Sequence, residues 1–419
     1  MSDVLADPGE PSAPSGEAPA VTAEPQTPVG KGWIWTFALA WFGYWLTVML
    51  PPQFLTPQLI ETVAPEHKVD VLSFLLIEGA VVSLVCIPFA GMACDRTRSR
   101  FGRRRPWALG GLLLTGSALS LIGLQTDWRA VAALMALVAA GNAMTLVALS
   151  AVIADQVPPG QRGAASAAMG VPQVVSLAVG MVVVTMLIES MPARWAVTGL
   201  VGVVCALPFL LGRAEPPAAD VPVRGTRLPI PRPRSHPDYY WALFCRVAVN
   251  AGNAAGTAYL LYFLSDVLHR PRPDEALLVL TLVYLVFCSA FGFLGGVLSD
   301  RLARRRVLVA VSGGLQALSA LLLAFAPSWP AAIVAAALLG MGYGAFLSVD
   351  QALVTDVLPD RRSRARDVGI INAAQNVPIA PMLGWLVLTT VASYRVLYAV
   401  AALIMLVGSA AVYRIKGVR

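Results

Sequence analysis

Three histidines and five cysteines among 419 residues leave little material for acid–base, nucleophilic or metal chemistry. His67, His236 and His269 stand far apart, and Cys86, Cys94, Cys205, Cys245 and Cys288 lie in or beside apolar runs without CxxC spacing. Such cysteines read as small core residues, neither a disulfide framework nor a metal site. No glycine loop of the phosphate-cradling kind is present, which argues against an ATP-driven pump on this chain, against an enzyme and against a bound cofactor. Charge is scarcer still. Only 13% of residues are charged against 57% hydrophobic, so a soluble fold would expose large apolar patches. The chain therefore reads as a multi-pass membrane protein with the lipid bilayer as its surroundings. Its net charge of +7 fits basic loops on the inner face of a membrane better than it fits nucleic acid.

Long apolar runs are what the sequence has in abundance. A hydrocarbon core about 30 Å thick needs roughly 20 apolar residues per helix, and twelve such stretches follow one another, the first at 33–55, the seventh at 239–267 and the eleventh at 364–391. Helices are expected throughout, because a barrel would show alternation over about ten residues instead. The fold class is thus all-α, with twelve spans.

Basic residues orient the chain. The loop 91–106, GMACDRTRSRFGRRRP, holds six arginines, and most other Lys and Arg fall on the same side of the twelve spans. The opposite side receives Lys68, Arg129, Arg194, Arg270, Arg272 and Arg395. Positive loops stay inside, so both termini are expected in the cytoplasm and the protein in the inner or plasma membrane. Residues 1–30 form an acidic, Pro- and Ala-rich tail expected to be disordered. Two six-helix units, 31–213 and 239–419, are expected on either side of a Pro- and Arg-rich linker, 214–238.

The two units repeat each other. GGVLSDRLARRR at 295–306 echoes the arginine loop, matching Gly91 and Asp95 with Gly296 and Asp300. Asp155 answers Asp356, Pro158 answers Pro359, Arg162 answers Arg364 and Gln173 answers Gln375. Four correspondences in one order signal an internal duplication.

Ionisable groups inside spans are expensive, which makes each a functional candidate. Glu78 lies mid-way along the second span and Asp350 near the end of the tenth, where Tyr343, Phe346 and Asp350 share a helical face. Asp350 is the stronger candidate for contact with solute or proton; a structural hydrogen bond between helices is the alternative for either acid. Asn250 and Asn253 in the seventh span, with Asn142, Gln173, Asn372 and Gln375, are polar candidates for the solute, and Tyr44, Trp45, Tyr259 and Tyr262 are candidate aromatic walls. Arg246 is expected to snorkel to the inner headgroups. Pro51, Pro52, Pro172 and Pro378 predict kinks.

Twelve spans in two parallel halves, with GxxxDR and an arginine run between the second and third span of each, resemble the major facilitator superfamily. The spacing DRTRSRFGRRRPW, and ADQVPPGQRGAASA at 154–167, look like the glycoside-pentoside-hexuronide and sucrose-carrier branch. That resemblance implies a conformational latch, with Gly91, Asp95, Arg96, Gly102 and Arg103 meeting the start of the eleventh helix at Arg364, and Gly296, Asp300 and Arg301 meeting the fifth at Arg162. It also implies that the first, fourth, seventh and tenth helices line a central cavity. Sucrose carriers place an Asp and an Arg in the fourth helix where this chain has Ala139 and Ser150, while their Asn is kept as Asn142. Melibiose-type carriers place two carboxylates where Ser83 and Ile87 stand. Membership implies a monomeric secondary transporter of a small organic solute, coupled to a proton or another ion by alternating access. Sugar-like symport, drug or metabolite export, and solute sensing without transport remain open as readings.

Overall fold

In the computed structural model the described residues are 28–99, 101–212, 236–302, 305–356 and 377–415, and the side chains of 154, 159, 299–302 and 351–356 are not among them. The candidates Arg364, Asn372 and Gln375 lie outside the described residues.

The first half consists of α1 (Lys31–Leu50), α2 (Thr56–Val63), α3 (Lys68–Arg96), α4 (Arg105–Ile122), α5 (Trp128–Gln156), α6 (Arg162–Met186) and α7 (Met191–Leu211). The second consists of α8 (Pro237–Ala258), α9 (Leu260–Asp266), α10 (Pro273–Leu302), α11 (Arg305–Phe325), α12 (Trp329–Asp356), α13 (Ile379–Thr390) and α14 (Tyr394–Ala410). Among the described residues nine helices are long and apolar enough to cross a membrane, and α4, α8 and α13 pack beside them to complete twelve spans.

Prolines decide where the spans bend. Pro51 and Pro52 offer no N–H to a helical ladder, and the chain answers with one wide π turn over Pro51–Leu55, in which Thr56 N–H reaches back to the Pro51 carbonyl. The first span then continues as α2, eight residues beyond the expected end at 55. The seventh span is likewise two helices, parted at Tyr259. Pro378 is the N-cap of α13, whereas α6 runs through Pro172 uninterrupted.

The duplication expected from sequence is present in the packing. In the first half α1 packs on α6 and α7, α3 on α5, and α4 on α5 and α7; in the second α8 packs on α13 and α14, α10 on α12, and α11 on α12 and α14. Small residues permit these approaches, as apolar side chains in lipid gain little from burial and close contact matters more. Gly111 of α4 meets the Gly141 carbonyl of α5, and in the repeat Gly342 of α12 meets the Ser312 carbonyl of α11. Between the halves α3 lies on α13, α6 on α10, and α2 on α9.

Candidate functional site

Three polar clusters sit at different heights in this bundle, and their burial differs sharply. The first is at the arginine-rich end. Gly102 adopts φ 93°, a left-handed conformation that costs an ordinary residue about 1–2 kcal/mol, and the resulting turn directs the next two arginines back to the bundle. Arg104 bonds Asp95 Oδ1 at 2.6 Å and Asp155 Oδ2 at 3.0 Å, while Arg103 reaches Asp155 Oδ2 at 3.2 Å. Burial would lower the basicity of Arg104, yet hydrogen bonds to Cys94, Asp155 and Asp95 hold its pKa above the ordinary arginine value. Asp95 is thus engaged within its own half. Gly91 of α3 faces Val147 of α5 and Gly296 of α10 faces Ser348 of α12, each with room for a Cβ, whereas Gly295 beside it is pressed against Ala345 and Ser348. Arg96 is exposed at the end of α3, and Arg162 opens α6. Asp300 and Arg301 lie on the last turn of α10, with side chains outside the description.

The second cluster is deep in the second half. Arg246 of α8 and Asp350 of α12 form an ion pair with Nε to Oδ2 at 3.1 Å, their side chains only 4% and 2% exposed. Arg246 therefore does not snorkel to the headgroups. A partner of opposite charge within reach on α12 outweighs the distance to water. Asp350 Oδ1 is buried and accepts no hydrogen bond among the described residues. Removing one member of a buried pair costs about 3–5 kcal/mol, so this contact does not open unless its charge is balanced another way.

Polar links continue from the pair toward the middle of the bundle. Tyr343 donates to Asn250 Oδ1 at 3.0 Å, Asn250 donates to the Arg246 carbonyl at 2.8 Å, and Asn253 donates to Gln316 Oε1 at 3.4 Å. Four predicted positions, Tyr343, Asn250, Asn253 and Asp350, are brought together here, joined by Arg246 and Gln316. Asn142 is remote from them, accepting hydrogen bonds from Thr47 at 3.2 Å and Thr115 at 3.4 Å in the first half. Gln173 is half-buried on α6. Glu78 is half-buried on α3, and its Oε2 has no hydrogen-bond partner among the described residues.

The third cluster joins the halves at the end opposite the arginines. Lys68 Nζ bonds Asp266 Oδ1 at 2.6 Å and Glu61 Oε1 at 3.2 Å, and lies 4.7 Å from the centre of the Tyr262 ring. Tyr394 donates to Asp266 at 2.9 Å, and Trp385 Nε1 donates across the interface to Asp70 at 2.9 Å. Beneath them the hydroxyls of Ser73 and Tyr259 are 2.7 Å apart, and Tyr262 donates to the Pro57 carbonyl at 3.2 Å. Tyr259 and Tyr262, the expected aromatic walls, thus hydrogen-bond from one half to the other. Lys68, Asp266 and Glu61 were not singled out from sequence, although one signal was available: a lone Lys and nearby acids on the side that has few cations.

The family model described as Major Facilitator Superfamily matches residues 32–271 and 243–418. The chain belongs to that superfamily. Sucrose transport protein SUT4 of Oryza sativa subsp. japonica is 37% identical over 86 residues, 20% of this chain and 13% of that protein. A probable 4-methylmuconolactone transporter of Cupriavidus pinatubonensis is 29% identical over 154 residues, 37% of this chain and 34% of its own length. The matches thus span about a third or less of these relatives. Among solved structures, that of a mutant form of the nucleoside transporter NupG superposes with a TM-score of 0.71 at 10% identity, covering 92% of this chain and 100% of that one. It shares the fold, and the sucrose-carrier-like relatives agree with the resemblance read in the arginine loop.

Proposed function

We propose that this superfamily member is a secondary transporter that moves a small organic solute by rocking its halves about a midplane site, with a proton as the coupling ion. One observation carries the reading: an ion pair and a hydrogen bond with water-accessible members, above two buried hydrogen bonds, fasten the two halves to each other at the end opposite the arginines. A bundle whose one end is held shut by contacts weak enough to break is one station of an alternating-access cycle. Placing the arginine loops inside the cell makes the fastened end the outer one, with both termini cytoplasmic.

Magnitudes assign the two kinds of ion pair to different tasks. Lys68 and Asp266 are 21% and 34% exposed, so their contact contributes about 0–1 kcal/mol and can break in each cycle. The Arg246–Asp350 pair is sealed from water and opens only when a charge is compensated. Asp350 is accordingly the group that takes up the driving proton. Sucrose, 4-methylmuconolactone and nucleosides, named for similar proteins, bracket the expected solute as a polar organic molecule.

Proteoliposome flux tests this. An inward proton gradient should drive accumulation of solute in wild-type vesicles, and Asp350→Asn should abolish accumulation while leaving exchange of solute across the membrane. Wild-type accumulation in Asp350→Asn would remove the proton role, and binding without any flux would replace transport with sensing.

A further inference from the structure

The chemistry around Asp350 narrows the solute further, on the premise that Asp350 carries the proton. The titratable groups facing its carboxylate among the described residues are Arg246 and Cys245 of α8 and Tyr343 of its own helix. Apolar side chains surround the same turns: Val309 from α11, Phe346 and Val349 from α12, and Val412 and Ile415 just beyond α14. Whatever else contacts the guanidinium, a proton arriving on Asp350 raises the charge of this closed site by one. An apolar surround cannot screen that increment.

We infer that the solute is a carboxylate anion, which takes the place of Asp350 on Arg246 as Asp350 accepts the proton. The exchange balances: one proton binds Asp350, one monoanion enters, and the site returns to its former charge. A guanidinium presents donors in a planar fork that a carboxylate matches with two parallel hydrogen bonds, so an incoming carboxylate can take over the contact that Asp350 makes at Nε. A phosphate dianion would overshoot by one charge. A neutral sugar would leave the increment in place.

Two consequences follow from the coupled binding of proton and anion. Binding requires protonated Asp350, so it consumes a proton and weakens as pH rises, tenfold per unit in its steep range. Removing the competing carboxylate should relieve that requirement.

The test uses the purified full-length protein with benzoate and glucuronate as probes and benzamide and glucose as their uncharged counterparts, read by thermal stabilisation and by calorimetry in two buffers. The acids should bind with uptake of one proton, and the neutral molecules should bind at least tenfold more weakly. Asp350→Asn should bind the acids independently of pH and at least tenfold more tightly than wild type at pH 8. Because Arg246→Gln alone leaves a buried acid, the Arg246→Gln and Asp350→Asn double variant serves as the folded control, and it should lose the acids altogether. Neutral probes preferred over acids, no binding of either acid, or acid binding retained in the double variant would each overturn the inference. A wild-type protein that accumulates a neutral solute on a proton gradient keeps the transporter reading and loses this one. Acid binding with proton uptake but no flux does the reverse.

Discussion

Six residues before the glycine that seats α1 on α7 stands Phe37; six residues before the glycine that seats α8 on α14 stands Arg246. Six residues before Asp155 stands Leu149, and six before Asp356 stands Asp350. The duplicated backbone therefore buries two apolar side chains of one core cluster in the first half, Phe37 and Leu149 both 0% exposed, and an ion pair in the second. The neighbouring positions follow suit. The first half continues from Phe37 as a ladder of rings, Trp41, Tyr44 and Trp45, with successive centroids 5.1–6.1 Å apart. The second continues from Arg246 as amides and hydroxyls. Shared packing with divergent chemistry shows that the ion pair is not required to build a half. Under the proposed proton coupling, its presence in one copy makes that copy the one that takes up the proton.

The largest expected effect comes from making the second half resemble the first. Arg246→Phe or Asp350→Leu alone should destabilise the protein by about 3–5 kcal/mol, because each strands a buried charge. Together they should return stability to within about 1–2 kcal/mol of wild type, since an apolar pair of similar volume often replaces a buried ion pair without loss. Unfolding in detergent micelles followed by tryptophan fluorescence measures both. A double variant as unstable as either single one would mean that the halves differ in packing and not in charge alone.

A smaller effect is expected where the halves meet. Lys68→Met removes the cation shared by Glu61 and Asp266, partly exposed contacts contributing about 1 kcal/mol in total. The closed state of the end opposite the arginines should lose about fivefold in population. The reaction rate of a Leu72→Cys reporter, at a buried position beside Ser73 on α3, with an impermeant maleimide in a background without the five native cysteines, should rise by a similar factor. An unchanged rate would assign closure to the Tyr259 and Tyr262 hydrogen bonds beneath.

Much of this arrangement was legible before any coordinates. Apolar length gave the spans, arginine placement gave one end of the bundle its character, and the Asp155 and Asp356 correspondence set the register of the repeat. Tyr343, Asn250, Asn253 and Asp350 were recognisable as polar groups in lipid. Their meeting with Arg246 was not. Helical periodicity places a side chain on a face of its own helix but says nothing of which face of α12 turns to α8, so Arg246 was assigned to the headgroups. The Lys68 cluster was hidden for a related reason, since it joins residues 198 positions apart that lie at the ends of different spans. The wide turn at Pro51 left its mark in sequence only as a kink, because two missing N–H groups announce a defect and not its geometry.

The smallest expected effect distinguishes the halves most directly. Asn142 and Tyr343 occupy corresponding places, thirteen residues before Asp155 and Asp356, and Thr115 corresponds to Gln316 in the adjoining helix. Asn142 accepts from Thr47 and Thr115, but Thr47 also donates to the Tyr44 carbonyl at 2.9 Å and Thr115 to the Val138 carbonyl at 3.5 Å. Both hydroxyls therefore keep an acceptor when the amide is removed. Asn142→Leu should cost less than about 1 kcal/mol, within the range of a single net hydrogen bond, and should leave solute affinity within about twofold. The same measurements on Asn250→Leu, which deprives Tyr343 of its acceptor next to the ion pair, should show weakened binding together with a stability loss of about 1–3 kcal/mol. If Asn142→Leu instead abolished binding, the solute would sit against the fourth helix, as the resemblance to sucrose carriers implies, and the charged half would serve coupling alone.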